Sequence, residues 1–313
     1  MLDESQNSTA LSGMWPIYID ARSKAAVPAD THFTVNDMAG SSYEYLPKEH
    51  ILLGGRTDQY RKMYTAAMDT IKENLLFRGM TDNGRNIMFI GDGRVVSTQK
   101  KPVVSYRMQH SKCYMGGMVG VASKVFDQLQ DLSLARMLTE GCIWSYDVMP
   151  TGIMPETFYA TACETLKKCK WDEIKWLTEV RGNYIDRTGP LSNNDTVAAG
   201  RAIARDKRYP PGMAMITQPS YRLRPEAIES VFVMYRITGD RELQDAAWRM
   251  FQNIVKYTMS EFGNAMLYDV RETETKLVRQ IDSEESYWFS QTLKYFYLIF
   301  SDPNLVSLDD YVL

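Results

Sequence analysis

Helical periodicity runs through most of this 313-residue chain and restricts it to folds built from packed helices. Apolar residues recur at three- and four-residue spacing over Tyr43–Leu53, Gln59–Phe77, Cys113–Asp127, Leu132–Asp147, Asp172–Arg187, Pro225–Tyr235, Glu242–Phe262 and Glu284–Phe300. The connections between them carry Gly and Pro: Gly54-Gly55, Gly79, Pro150, Gly189-Pro190, Pro210-Pro211-Gly212 and Gly239-Asp240. Helix pairs joined by such turns predict stacked αα-hairpins. One strand–turn–strand signal interrupts them: Asn86–Ile90, then Gly91-Asp92-Gly93, then Arg94–Ser97, a small β-hairpin. Length alone permits one large domain or two ordinary ones. No low-complexity linker, fixed-period repeat or shift in composition divides the chain, so residues 1–313 are expected to form one all-α unit.

Charge and cysteine usage narrow the function. A formal net charge of −3 provides no basic field, which argues against nucleic acid as the main partner. The longest wholly apolar run near the C-terminus, Tyr295–Phe300, is far short of the ~20 residues of a spanning helix. The polar, acidic N-terminus MLDESQNSTA does not have the pattern of a signal peptide. Yet Asn7-Ser8-Thr9 and Asn194-Asp195-Thr196 are glycosylation sequons, meaningful only in the secretory pathway. Four cysteines without CxxC spacing read as two bridges in an oxidising compartment, or as four buried thiols in a reducing one, and not as a metal site. Cys163 and Cys169, six apart around a Lys-rich turn, are placed to close a small loop.

The chemistry concentrates in Tyr221–Asp240, YRLRPEAIESVFVMYRITGD. Pro225 suits the first turn of a helix, where its missing N–H costs nothing. Glu226 and Glu229 lie three apart and share a helix face, with Arg224 beside them. Two carboxylates at a helix N-terminus are compatible with ordinary end-capping and equally with an acidic site.

The string LRPEAIES followed by an aromatic-rich helix and TGD resembles glycoside hydrolase family 47, the class I α-1,2-mannosidases. Five more blocks resemble that family in order: GMWPIYID at Gly13–Asp20, MAGSSYEYLPKEHILLGG at Met38–Gly55, MQHSKCYMGGM at Met108–Met118, PTGIMPE at Pro150–Glu156, and DSEESYWFSQTLKYFYLIFSDP at Asp282–Pro303. The resemblance implies an (αα)7 barrel with the active site on its axis. This chain supplies about four of the hairpins, so it is expected to be an incomplete barrel, lacking the N-terminal hairpins and the C-terminal tail. It implies inverting hydrolysis of α-1,2-linked mannose from high-mannose N-glycans, and a lumenal setting in the endoplasmic reticulum or Golgi, or secretion. It also implies a disulfide between Cys113 and Cys142, which lie in the matching blocks.

Carried over position by position, Glu226 matches the carboxylate that acts as base toward water, and Glu156 another acidic residue of the cavity, assigned as a proton donor. Arg224, His110 and Tyr287 match sugar-contacting positions, and Glu229 a carboxylate near the family's Ca²⁺. That ion is held largely by a Thr of the C-terminal tail and by water, a donor set suited to a hard cation. The Thr is absent from this sequence, and no metal ligand is assigned. Two interior positions depart from the pattern: Gly40 stands where the family has a catalytic Asp, and Gln291 where it has a sugar-binding Glu. Glycine carries no proton and glutamine no charge. The expectation is therefore a mannosidase relative that is inactive alone, the alternatives being a non-catalytic glycan-binding relative or a truncated gene product.

Overall fold

The computed structural model describes residues 2–22, 27–28, 30–36, 38–96, 101–188, 196–274 and 278–313. Ser97, at the end of the expected hairpin, the Gly189-Pro190 turn and Asn194 of the second sequon lie outside them. After a short helix α1 (Leu2–Ser5), α2 (Gly40–Leu52) pairs with α3 (Gln59–Asn74), and α4 (Tyr114–Val125) with α5 (Leu132–Asp147). Then α6 (Glu173–Thr188) pairs with α7 (Thr196–Lys207), and α8 (Glu226–Thr238) with α9 (Arg241–Thr258). The last helical stretch opens with a π-helical segment, Trp288–Leu293, and continues as α10 (Lys294–Ile299), which packs on α8 and α9. Eight runs of periodicity correspond to helices α2–α6, α8, α9 and the last helical stretch, whereas α7, the partner of α6, has no such run.

Local chemistry explains the joints. Gly239 takes the left-handed conformation (φ 67°) that closes α8, and the Asp240 side chain accepts the Glu242 N–H (3.0 Å) to open α9. The TGD string is thus a stop and a start in three residues. Helix α4 is buried on nearly every side because α2, α5 and α8 all pack against it.

The expected β-hairpin over 86–97 does not form. Met88–Ile90 pairs back onto Leu76–Arg78, whereas Asp92–Arg94 lies between His32–Phe33 and Val103–Ser105. The Gly-Asp-Gly triplet reads as a turn, but Asp92 is buried, accepting from Lys112 Nζ (2.7 Å) and Thr34 Oγ1 (2.6 Å). A Cβ at Gly91 would fall 2.6 Å from the Ser105 carbonyl, so glycine serves close backbone approach there. Twelve short strands in five small sheets occupy the links between helices among the described residues, more β-structure than one hairpin.

Both cysteine pairs are bridged: Cys113–Cys142 with Cα atoms 5.9 Å apart and Cys163–Cys169 with 5.8 Å. The second closes a loop of only six residues, whose chain-entropy contribution is about 2 kcal/mol. Replacing both of its cysteines with serine is expected to lower stability by about that amount, measured by urea unfolding. No loss would show that the strand and helix flanking the loop already confine it.

Candidate active site

One antiparallel sheet aligns three separated pieces of sequence. Its strands are Arg107–Gln109, Thr157–Ala160 and Met213–Gln218, with Gln109 and Gln218 both level with Thr157. The pairing continues one step past the strand ends: His110 N–H donates to the Glu156 carbonyl (3.0 Å) and Glu156 N–H to that of Ser220 (2.9 Å). His110, Glu156 and the Tyr221–Arg224 segment therefore emerge together at one end of the sheet, where α8 begins.

A backbone kink completes the arrangement. Leu223 is buried and left-handed (φ 62°), a strained conformation for a residue of its size. It turns both of its neighbours onto one carboxylate: Arg222 N–H reaches Glu156 Oε1 (3.1 Å) and Arg224 Nε reaches Glu156 Oε2 (2.6 Å). Thr292 Oγ1 donates to the Leu223 carbonyl (2.7 Å) and Tyr287 OH to that of Arg222 (2.8 Å), so the last helical stretch holds the kink from outside.

Glu226, the first residue of α8, receives Arg224 Nη1 on Oε1 (3.3 Å) and His110 Nδ1 on Oε2 (3.1 Å). Burial pushes its carboxyl up, but the His110 hydrogen bond and the positive charge around it prevail and hold it below the usual range. An ionised carboxylate only accepts, so Nδ1 carries a proton, and Nε2 is hydrogen-bonded with Tyr146 OH (2.8 Å). The Tyr146 phenol stays neutral because burial raises it. The histidine is wholly buried and fixed at both nitrogens.

Glu226 also faces a cavity of about 460 Å³, whose wall includes Gly40, Glu44, Lys48, Glu229 and Gln291. Gly40 and Gln291 thus share a cavity with Glu226 and Glu229. Lys48 Nζ bridges Glu44 (2.6 Å) and Glu229 (3.4 Å), and Tyr295 OH donates to Glu229 (3.4 Å). Glu156, only 5% exposed with both oxygens engaged, stands behind Glu226 with His110. Glu44, Lys48 and Tyr146 escaped the sequence reading. The i,i+4 spacing of Glu44 and Lys48 was a visible signal, whereas nothing local marked Tyr146. A larger groove of about 640 Å³ lies between α5 and α9, but its arginines and acids, such as Arg136 with Glu140 and Asp240, neutralise one another.

The residues present do not by themselves form a calcium shell. Three carboxylates on the cavity wall already face a cationic side chain: Glu44 and Glu229 face Lys48, and Glu226 faces Arg224. Among the described residues no group of three or more His, Cys, Asp or Glu side chains is arranged to hold a metal.

Glu229 yields a pH prediction. Burial raises its carboxyl to about 7 against the pull of Lys48, with the Glu44 and Glu226 charges adding to the rise. A raised carboxyl binds its proton more tightly in the folded state, so stability falls as pH climbs from the ordinary 4.5 to about 7. That interval corresponds to about 3 kcal/mol. Glu229→Gln should therefore stabilise the chain by up to that amount at pH 8 and by little at pH 4. Equal effects at both pH values in urea unfolding would contradict this origin.

Comparison with known proteins shows the family to which the chain belongs. The chain is 27% identical over 322 residues to a mannosyl-oligosaccharide 1,2-alpha-mannosidase of Arabidopsis thaliana, covering 96% of this chain and 45% of that protein. It is 28% identical over 305 residues to the human endoplasmic reticulum mannosyl-oligosaccharide 1,2-alpha-mannosidase, covering 96% and 36%. The chain thus spans less than half the length of these relatives. The solved alpha-1,2-mannosidase of Trichoderma reesei shares its fold with a TM-score of 0.73 at 20% identity, over 96% of this chain and 54% of that one. The profile of glycosyl hydrolase family 47 matches residues 1–313, and the chain belongs to that family.

Proposed function

We propose that the cavity beside Glu226 binds the terminal α-1,2-linked mannose of high-mannose N-glycans, and that this chain alone does not hydrolyse it. The observation that carries the proposal is the asymmetry of the cavity. On one wall an ionised carboxylate is held by His110 and Arg224; elsewhere on the wall the family's Asp and Glu are replaced by Gly40 and Gln291. Inverting hydrolysis needs a second carboxyl about 6.5–9.5 Å away across the bond. Glu156 does not supply it, because Arg222 N–H and Arg224 Nε take both of its oxygens, Glu44 is paired with Lys48, and Glu229 lies three residues along the same helix and on the same side. A base without its acid partner loses ~10²–10⁴ in rate from that defect alone. The hydroxyl-rich ligand is matched instead by charged and polar wall groups, as sugar recognition requires.

In this reading the four hairpins and α10 are consecutive members of the family's (αα)7 barrel, the Glu226 carboxylate orients water or a sugar hydroxyl, and Arg224 steadies it. The two disulfides and the family's substrates support a setting in the lumen of the secretory pathway. The test pairs two measurements on the purified chain. Titration with α-1,2-mannobiose should show binding that Glu226→Gln weakens. Mannose release from a high-mannose glycan with added Ca²⁺ should not exceed that of Glu226→Gln. Absence of binding, or turnover above the variant, would refute the proposal.

A further inference from the structure

Position 40 is more than a missing carboxylate. Gly40 opens α2 with its N–H on the Asn36 carbonyl (2.5 Å), and its own carbonyl accepts the hydroxyl of Tyr114 (3.2 Å). Tyr114 is the first residue of α4, one turn beyond His110, and is only 4% exposed. Its ring fills the direction in which a side chain at 40 would grow. A Cβ there would lie 3.1 Å from Tyr114 Cε1 and 3.4 Å from its hydroxyl, with the Val35 carbonyl at 3.4 Å on another side. Both residues line the cavity that Glu226 faces.

We propose that Gly40 and Tyr114 are a matched pair, in which the Tyr114 phenol occupies the place of the family's Asp side chain and bars a carboxylate from position 40. This rests on the reading of the cavity as a mannoside site. Two physical terms work against an acid at 40. The phenol ring crowds its Cβ, and the hydroxyl proton is committed to the Gly40 carbonyl, so a carboxylate would meet oxygen lone pairs in a buried wall. The hydroxyl stays a neutral donor, since burial and the nearby Glu44 and Glu229 charges push it well above its ordinary value. A third term, repulsion from Glu44 one helical turn away, does not involve Tyr114. Replacing Gly40 alone therefore does not rebuild the acid–base couple. Tyr114 is a positioning residue that keeps position 40 free of charge.

The experiment is a double-mutant cycle read as unfolding midpoints. Gly40→Asp should lower the midpoint by about 2–6 °C, the scale of overpacking in a chain of this length. Tyr114→Phe, which keeps the ring and removes the hydroxyl, should recover only the part of that loss due to the hydroxyl, leaving the ring contact and the Glu44 repulsion, whereas Tyr114→Leu, which removes the ring as well, should recover more. Gly40→Ala adds only the Cβ and should show a smaller loss, with its own rescue by Tyr114→Leu, if the aspartate variant does not fold. Equal losses with Tyr114 intact and with Tyr114→Leu, for both replacements, would overturn the pairing. Titration with α-1,2-mannobiose separates the two ideas, because a chain that binds no mannoside refutes the glycan reading while the midpoint cycle still decides the pair.

Discussion

Arg224→Met is expected to destabilise the chain by about 3–5 kcal/mol, the cost of leaving a buried acid without its cation. Arg224 is 14% exposed and Glu156 6%, and their contact is 2.6 Å. Without the guanidinium, Glu156 keeps only the Arg222 N–H, a single hydrogen bond on one oxygen. Glu226 loses one of the two partners that hold its carboxyl low, so its titration moves upward toward the value that burial favours. Replacing both partners, Arg224→Met with Glu156→Leu, should recover much of the stability, because a buried pair removed together leaves no uncompensated charge. Urea unfolding of the three chains decides it. A single replacement costing less than about 1 kcal/mol would mean that water reaches Glu156 and that the pair is not buried in solution.

The prediction depends on a geometry that was half legible in the sequence. Periodicity placed both members of three helix pairs, α2–α3, α4–α5 and α8–α9, since large apolar residues mark the buried faces of α4, α5, α8 and α9. Helix α7 was not marked in this way: its buried face is Ala199, Gly200 and Ala204, small residues that let it lie against the Leu177 backbone of α6 but give no apolar stripe. The strands were lost for a related reason. Two- and three-residue strands are too short to show alternation, and Gly91-Asp92-Gly93 carries turn composition in an extended conformation. Within the site, Glu226, Arg224 and Glu156 were recognised by block, but that Arg224 bonds Glu156 follows from the left-handed Leu223, and nothing in its neighbours announces that conformation.

Removing the Cys113–Cys142 bridge, by serine at both positions, is expected to cost about 3–4 kcal/mol through the 29-residue loop it closes. Its position adds a local consequence. Cys113 ends the 3-10 turn His110–Cys113, and Cys142 lies one helical turn before Tyr146 on α5. The bridge and the His110–Tyr146 hydrogen bond are thus two ties between the same turn and the same helix. With the covalent tie gone, the imidazole is held on that side only by one hydrogen bond. Opening of the turn then withdraws Nδ1 from Glu226. Loss of stability and loss of mannoside affinity should therefore appear together, and the affinity should fall further than in the Cys163→Ser/Cys169→Ser chain, whose bridge is not part of the turn that carries His110. Equal affinities in the two chains at a temperature where both are folded would show that the helix packing of α4 on α5 fixes His110 without the bridge.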